Sequence, residues 1–189
     1  MKTKIKASKE LSTDTMAKMA LFLALTIVSG MVAIPVPALG IPVVLQNMII
    51  MLAGGFLGKK YGVLTTGLFL SLVFIGLPLL SGGRGGAAIF LSPSGGFLVG
   101  YLFCSVIICL ILEKLGTQSF WKIMLAYLIG GTLFIDFMGS FSLAYYSHVS
   151  WLTGLKMAAF FVPIDTVKAI IAAIIHQRLQ KFTYLGVEK

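Results

Sequence analysis

Apolar residues run through this chain in long blocks rather than at alternate positions, and polar residues gather in the gaps. Six apolar stretches stand out, at about 15–34, 43–58, 62–80, 94–113, 120–146 and 155–179. A hydrocarbon core ~30 Å thick is crossed by about 20 helical residues. The pattern therefore predicts an all-α membrane protein of six transmembrane helices. They form a single integral membrane domain over 1–189, with a basic segment at 1–14. The second stretch is the shortest, and the fifth is long enough to extend beyond the lipid.

Composition supports this reading. Of 189 residues, 58% are hydrophobic and 11% charged, against roughly 25% charged in ordinary soluble domains. Mean hydropathy is +1.01. The net charge of +9 does not point to nucleic acid, because the basic residues sit between apolar runs and act as topology signals. Lys2, Lys4, Lys6, Lys9 and Lys18 precede or enter the first span. Lys59 and Lys60 separate the second and third, Lys114 and Lys122 the fourth and fifth, and Arg178, Lys181 and Lys189 follow the sixth. Only Arg84 and Lys156 fall in the opposite loops. The positive-inside rule then places both termini in the cytoplasm. The N-terminal apolar run lacks a small-x-small cleavage site, so it reads as an uncleaved helix rather than a signal peptide.

The opposite loops are distinctive. One is the apolar, stiff Pro35–Pro42. The other places Arg84 among Gly82, Gly83, Gly85 and Gly86 and continues to Ser92-Pro93-Ser94-Gly95-Gly96. Such glycine density suits close backbone approach to a ligand.

Charge inside a bilayer is costly and marks handling of a substrate or an ion. The sequence FVPIDTVKA puts Asp165 and Lys168 three residues apart, on one helical face. Pro163 suits a first helical turn, which places Asp165 near the helix N-terminus, where the dipole favours an anion. Asp136, Gln46, Asn47, Tyr145, Tyr146 and Arg84 fall at similar outer depth, whereas the inner half holds little beyond Thr65, Thr66 and a few serines. An ion relay needs groups along the whole depth, so this asymmetry predicts a pocket open to the outside. Tyr145, Tyr146 and Trp151 also suit interfacial anchoring, and Gln46 and Asn47 suit interhelical hydrogen bonding.

Other chemistry is absent or weak. No GxxxxGK[ST] loop is present to hold phosphates, and no metal-ligand spacing occurs. Cys104 and Cys109 lie in one apolar run, where a mutual disulfide is geometrically disfavoured. Ser140 lies in GSFS without a nucleophile elbow, and His148 sits in an outer loop, so an intramembrane hydrolase finds little support and no enzyme is expected. Ala20 and Ala24 form a small-xxx-small pair on the first span, a surface that lets another helix approach closely. A binder without a motor needs such a partner in order to pump; a non-transporting scaffold is the rival use of that face.

Together these motifs resemble the BioY family, the biotin-specific substrate-binding subunits (S components) of energy-coupling factor transporters. Residues 42–62, PVVLQNMIIMLAGGFLGKKYG, are similar to the family's second span. Gly76-Leu77-Pro78, Gly82–Gly86 and Pro93–Phe97 are similar to its third loop, Phe161–Ala169 to its last helix, and Ala20-x-x-x-Ala24 to its alanine motif. The resemblance implies a six-helix S-component fold in a prokaryotic plasma membrane. It implies capture of biotin from outside. It also implies partnership with a membrane coupling subunit and two ATPases that use ATP, with no cofactor bound by this chain; another small vitamin is the alternative ligand. In that reading Asp165 accepts a ureido N–H. Lys168 donates to the ureido carbonyl or holds Asp165 ionised. Gln46 or Asn47 supplies an amide contact, and Arg84 takes the carboxylate. Asp136 and Tyr146 complete the expected substrate site. Leu77, Pro78, Phe90 and the Pro35–Pro42 loop are expected as its apolar walls.

Overall fold

The structure, a computed structural model, describes residues 12–39 and 41–183. Expectations that fall on Lys2, Lys4, Lys6, Lys9 and Lys189 lie outside the described residues. The chain is helical nearly throughout. Helix α1 (Thr13–Ser29) opens at Ser12, whose hydroxyl accepts the Thr15 amide hydrogen at 3.2 Å, satisfying one of the donors orphaned at a helix start. Two short strands follow. β1 (Ala33–Ile34) pairs antiparallel with β2 (Val43–Val44), Ala33 opposite Val44. They pinch the proline-rich loop shut at its base.

Helix α2 (Gln46–Phe74) runs across both the second and third apolar stretches. The loop expected at Lys59 and Lys60 is not there. Gly58 alone breaks the helix, with φ 73° and ψ −176°, a conformation essentially restricted to glycine. The chain reverses at this point. A Cβ on Gly62 would lie 3.2 Å from the Cα of Gly54, whereas residues eight apart in a straight helix are separated by about 12 Å. Gln46 and Leu79, from the two ends of this hairpin, are hydrogen-bonded at 2.8 Å. Two arms, 46–57 and 59–74, thus replace two spans and a loop. The first arm is only about 18 Å long, so Gln46 and Asn47 start well below the surface at the far end. Gly54 and Gly62 both pack on Ser105 of α3 (Gly95–Leu115). Lys59 bonds Glu113 of α3 at 3.0 Å, which sets the hairpin turn level with that helix's end.

The fifth stretch has the expected bounds. It comprises α4 (Phe120–Tyr127), a π-helical segment (Leu128–Leu133) and α5 (Phe134–Tyr146) in one run. The π turn coincides with Gly130 and Gly131, where a Cβ would meet the Ile108 backbone at 2.7 Å and Met51 at 2.6 Å. The sixth stretch is broken. A short α6 (Trp151–Ala159) meets α7 (Val162–Thr183) at 51°. Pro163 falls in the first turn of α7, as its missing amide hydrogen requires. Six helical segments pack together: α1, the two arms of α2, α3, the α4–α5 run and α7 with its bent α6. Among the described residues, Gln46–Phe74, Gly95–Leu115 and Phe120–Tyr146 are long and apolar enough to belong in a membrane.

The inner half is less bare than the sequence suggested. Tyr127 Oη and His176 Nδ1 lie 2.7 Å apart beside Gly55, and the His176 ring stacks on Phe56 at 4.7 Å, which stacks in turn on Phe22 of α1. This polar pair is buried packing between α4 and α7.

Replacing Gly58 with alanine forces a side chain into the glycine-only region, at a cost of about 1–3 kcal/mol. Thermal unfolding of purified Gly58→Ala in detergent should therefore begin several degrees lower; an unchanged midpoint would refute the single-residue turn.

Candidate functional site

The first arm of α2 begins deep, and that places Asn47 beside α7. Lys168 is the centre of the resulting cluster. Its ammonium donates to Val44 O at 2.6 Å, to Asn47 Oδ1 at 3.1 Å and to Asp165 Oδ1 at 2.6 Å. An ammonium has three hydrogens, so all of its donors are used. The side chains of Lys168 and Asp165 are 9% and 6% exposed. Burial of that kind is tolerated only when charge and hydrogen bonds are matched. The backbone carbonyl of Asp165 accepts from Thr132 Oγ1 of the π segment at 3.0 Å, which ties the head of α7 to the middle of the fifth span.

This cluster forms one wall of a cavity of about 50 Å³ lined by residues from β2, α2, α3, α5, α7 and two loops. Gln46, Asn47, Arg84, Asp165 and Lys168, five of the seven expected ligand residues, meet there. Two polar functions are left open to a ligand. The second carboxylate oxygen of Asp165 and the amide nitrogen of Asn47 make no hydrogen bond among the described residues. Gln46 plays a different part. Its amide nitrogen donates to Thr26 O at 3.1 Å and Leu79 O at 2.8 Å, so it joins α1 to the glycine-rich loop, and its buried Oε1 has no partner.

Arg84 lies at the cavity mouth. The expected glycine-rich loop is an ordered turn in which Leu80 N donates to Arg84 O at 3.0 Å, with Gly82 and Gly83 at φ 72° and 69°. The guanidinium donates from Nε to Ser81 O at 3.1 Å. It forms no ion pair among the described residues. Beyond it an outer groove of about 540 Å³, walled by Met31, Pro35, Val36 and Pro37, shares Ile41, Pro42, Ser81 and Arg84 with the cavity. Arg84 therefore faces both spaces.

Two expected ligand residues lie elsewhere. Asp136 follows the cavity-lining Ile135 and so points away from the cavity. It lines a separate apolar space of about 250 Å³ with Leu133, Phe137 and Val162, is 3% exposed, and has no partner for either oxygen among the described residues. Tyr146 is absent from the lining and packs edge-on against Tyr145 at 5.0 Å. Of the expected apolar walls, Pro42 with Ile41 is present, while Leu77, Pro78 and Phe90 are not; Phe90 packs instead on Phe74. The walls are Phe97, Leu98, Ile135 and Phe161, with Phe97 edge-on to Phe161 at 5.6 Å and seated over Gly139. Tyr101 of α3 and Ser94, the residue just before that helix, also line the cavity. Their only signal in the sequence is a seven-residue spacing on one helix face. Ser140 donates to Phe137 O at 2.7 Å and accepts from Trp151 Nε1 at 3.3 Å, so it is not paired with His148. Ala20 and Ala24 are exposed on α1.

Comparisons with known proteins identify the family and the fold. Residues 1–184 match the model of the BioY family. A protein named biotin transporter BioY from Lactococcus lactis subsp. cremoris (strain MG1363) is 42% identical over 171 residues, covering 88% of this chain and 90% of the relative. One of the same name from Thermotoga maritima (strain ATCC 43589 / DSM 3109 / JCM 10099 / NBRC 100826 / MSB8) is 34% identical over 168 residues, covering 87% and 94%. The 2.1 Å crystal structure of the S-component for biotin from an ECF-type ABC transporter superposes with a TM-score of 0.85 at 40% identity, covering 91% of this chain and 95% of that one.

The two buried carboxylates should respond oppositely to neutralisation of their surroundings. Lys168→Met strips Asp165 of its counter-charge and should cost about 3–5 kcal/mol. Asp136→Asn removes a buried carboxyl that has no partner among the described residues and should leave stability equal or higher. Melting of both variants in detergent decides this; a large loss in Asp136→Asn would reveal a partner for that carboxylate.

Proposed function

The chain belongs to the BioY family, and on that premise we propose that it is the biotin-binding S component of an ECF-type vitamin importer. The observation that carries this reading is the meeting of Asp165, Asn47 and Arg84 around one cavity, with Lys168 as a fully bonded counter-ion. Biotin presents a ureido ring with two N–H donors and one carbonyl, an apolar thioether ring and chain, and a carboxylate. The free Asp165 oxygen accepts a ureido N–H. The free Asn47 amide nitrogen donates to the ureido carbonyl. Lys168 pairs with Asp165 rather than touching the ligand, because its three hydrogens are spent. A cavity of about 50 Å³ suits the head of such a ligand. The apolar ring packs between Phe97 and Phe161, and the chain leads past Arg84 toward the outer groove. The guanidinium pairs the carboxylate at that mouth. Asp165 with Lys168 and Arg84 with the ligand then leave no unbalanced charge in the site.

In this reading the loop-rich end, with β1, β2 and Arg84, faces the outside, and both termini face the cytoplasm. Transport is driven by a membrane coupling subunit and two ATP-consuming subunits. The exposed Ala20 and Ala24 on α1 support that helix as the surface met by the coupling subunit, because small side chains permit close helix approach.

Equilibrium binding of labelled biotin to the purified chain tests the assignment directly. Asp165→Asn should weaken binding about 100-fold, the worth of a charge-assisted hydrogen bond in a buried site, while the protein still elutes as a folded species. Arg84→Ala should weaken biotin more than biotin methyl ester. Near-wild-type affinity for Asp165→Asn, or equal losses for acid and ester in Arg84→Ala, would sink the corresponding role.

A further inference from the structure

Resting on the biotin reading, we infer that Tyr101 is a specificity-determining residue whose hydroxyl accepts the second ureido N–H. A cyclic urea offers two N–H groups, and the free oxygen of Asp165 serves only one of them. The other needs an acceptor at the deep end of the cavity. Depth can be read from the helices. Lys59 and Glu113 mark a common level at the hairpin end. Asn47 lies ten residues along the first arm from its end at Leu57, about 15 Å above the turn, and Tyr101 lies 12 residues along α3 from Glu113, about 18 Å above it, so the two are within one helical turn of each other in height. Tyr101 is therefore close in height to the amide that meets the ureido carbonyl.

The alternatives at that depth fall away. Gln46 Oε1 is sealed from the cavity. The Asn47 carbonyl oxygen is taken by Lys168. The Ser81 hydroxyl faces the Arg84 guanidinium at 3.4 Å, and Ser94 is seven residues, about 10 Å, nearer the mouth. Tyr101 is 6% exposed and lines the cavity, and its hydroxyl has no hydrogen-bond partner among the described residues. The helix that carries it is held against α5. Gly100 brings α3 against α5, where a Cβ would lie 3.0 Å from the Ile135 Cα. At the head of the same helix the Gly96 amide donates to Ser142 Oγ at 3.0 Å. A hydroxyl so placed gives the site a way to reject ligands that lack the second N–H, because buried polar groups left unpaired penalise the wrong ligand heavily.

The test compares wild type with Tyr101→Phe, which keeps the buried ring and removes one oxygen. The ligands are biotin, its two mono-N-methyl ureido isomers and biotin methyl ester. Biotin binding should weaken about tenfold. The preference for biotin over one N-methyl isomer should shrink by a similar factor, while the preference over the other isomer and over the ester holds. Unchanged biotin affinity, or a uniform loss with every ratio preserved, would overturn the role of Tyr101 while leaving the biotin reading intact. Failure of the wild-type chain to bind biotin would overturn that reading itself, and this proposal with it.

Discussion

An ammonium group among hydrocarbon helices must find an acceptor for each of its hydrogens, and the arrangement around Lys168 follows from that demand. Its three bonds reach a strand carbonyl, an amide at the head of the α2 hairpin, and a carboxylate one turn earlier on its own helix. These groups come from two distant parts of the chain, 44–47 and 165–168. Joining them fixes the height of α7 against the first arm and pulls β2 inward. The shortness of that arm then acquires a purpose. A helix spanning the full bilayer would carry Asn47 to the surface, out of reach of Lys168.

Other packing serves the same end. The π segment places Thr132 under the Asp165 carbonyl, and its glycines let the fifth span press on α3 and on the hairpin. Gln46 closes the arrangement from the other side by binding both α1 and the loop after the hairpin. The proline-rich segment is held at its base by the β1–β2 pair. Many of the buried polar side chains hold helices at set heights, while the free functions of Asp165 and Asn47 lie in the cavity wall.

Much of this was legible in the sequence, for reasons that can be stated. Apolar blocks report membrane helices directly, so the 120–146 run has the bounds expected of it. A rare acid and base on one helix face report a site, and Asp165 and Lys168 lie at its centre. Arg84, Gln46 and Asn47 joined them because topology alone sets depth. Depth does not set direction, however, and this is where Asp136 and Tyr146 parted from the rest: one residue of rotation separates Ile135, inside the cavity, from Asp136 behind its wall. A reversal beside Lys59 and Lys60 was expected between the second and third stretches; what the lysines hid is that Gly58 alone makes it. Tyr101, Phe97 and Phe161 were invisible because an aromatic residue in an apolar run reads as ordinary core. The pairing of His176 with Tyr127 needs the fold, since the residues lie 49 positions apart.

The complete use of the Lys168 hydrogens has a kinetic meaning. A site whose ions are already bonded to one another does not rearrange them when a ligand enters. The ordering of Asp165, Asn47 and the strand carbonyl is accomplished as the chain folds, and little side-chain entropy is left to lose on association. Affinity built in this way shows itself mainly as a long residence time rather than as fast arrival. Under the proposed assignment, a ligand seated against so rigid an ion pair leaves slowly unless the walls around it are moved apart.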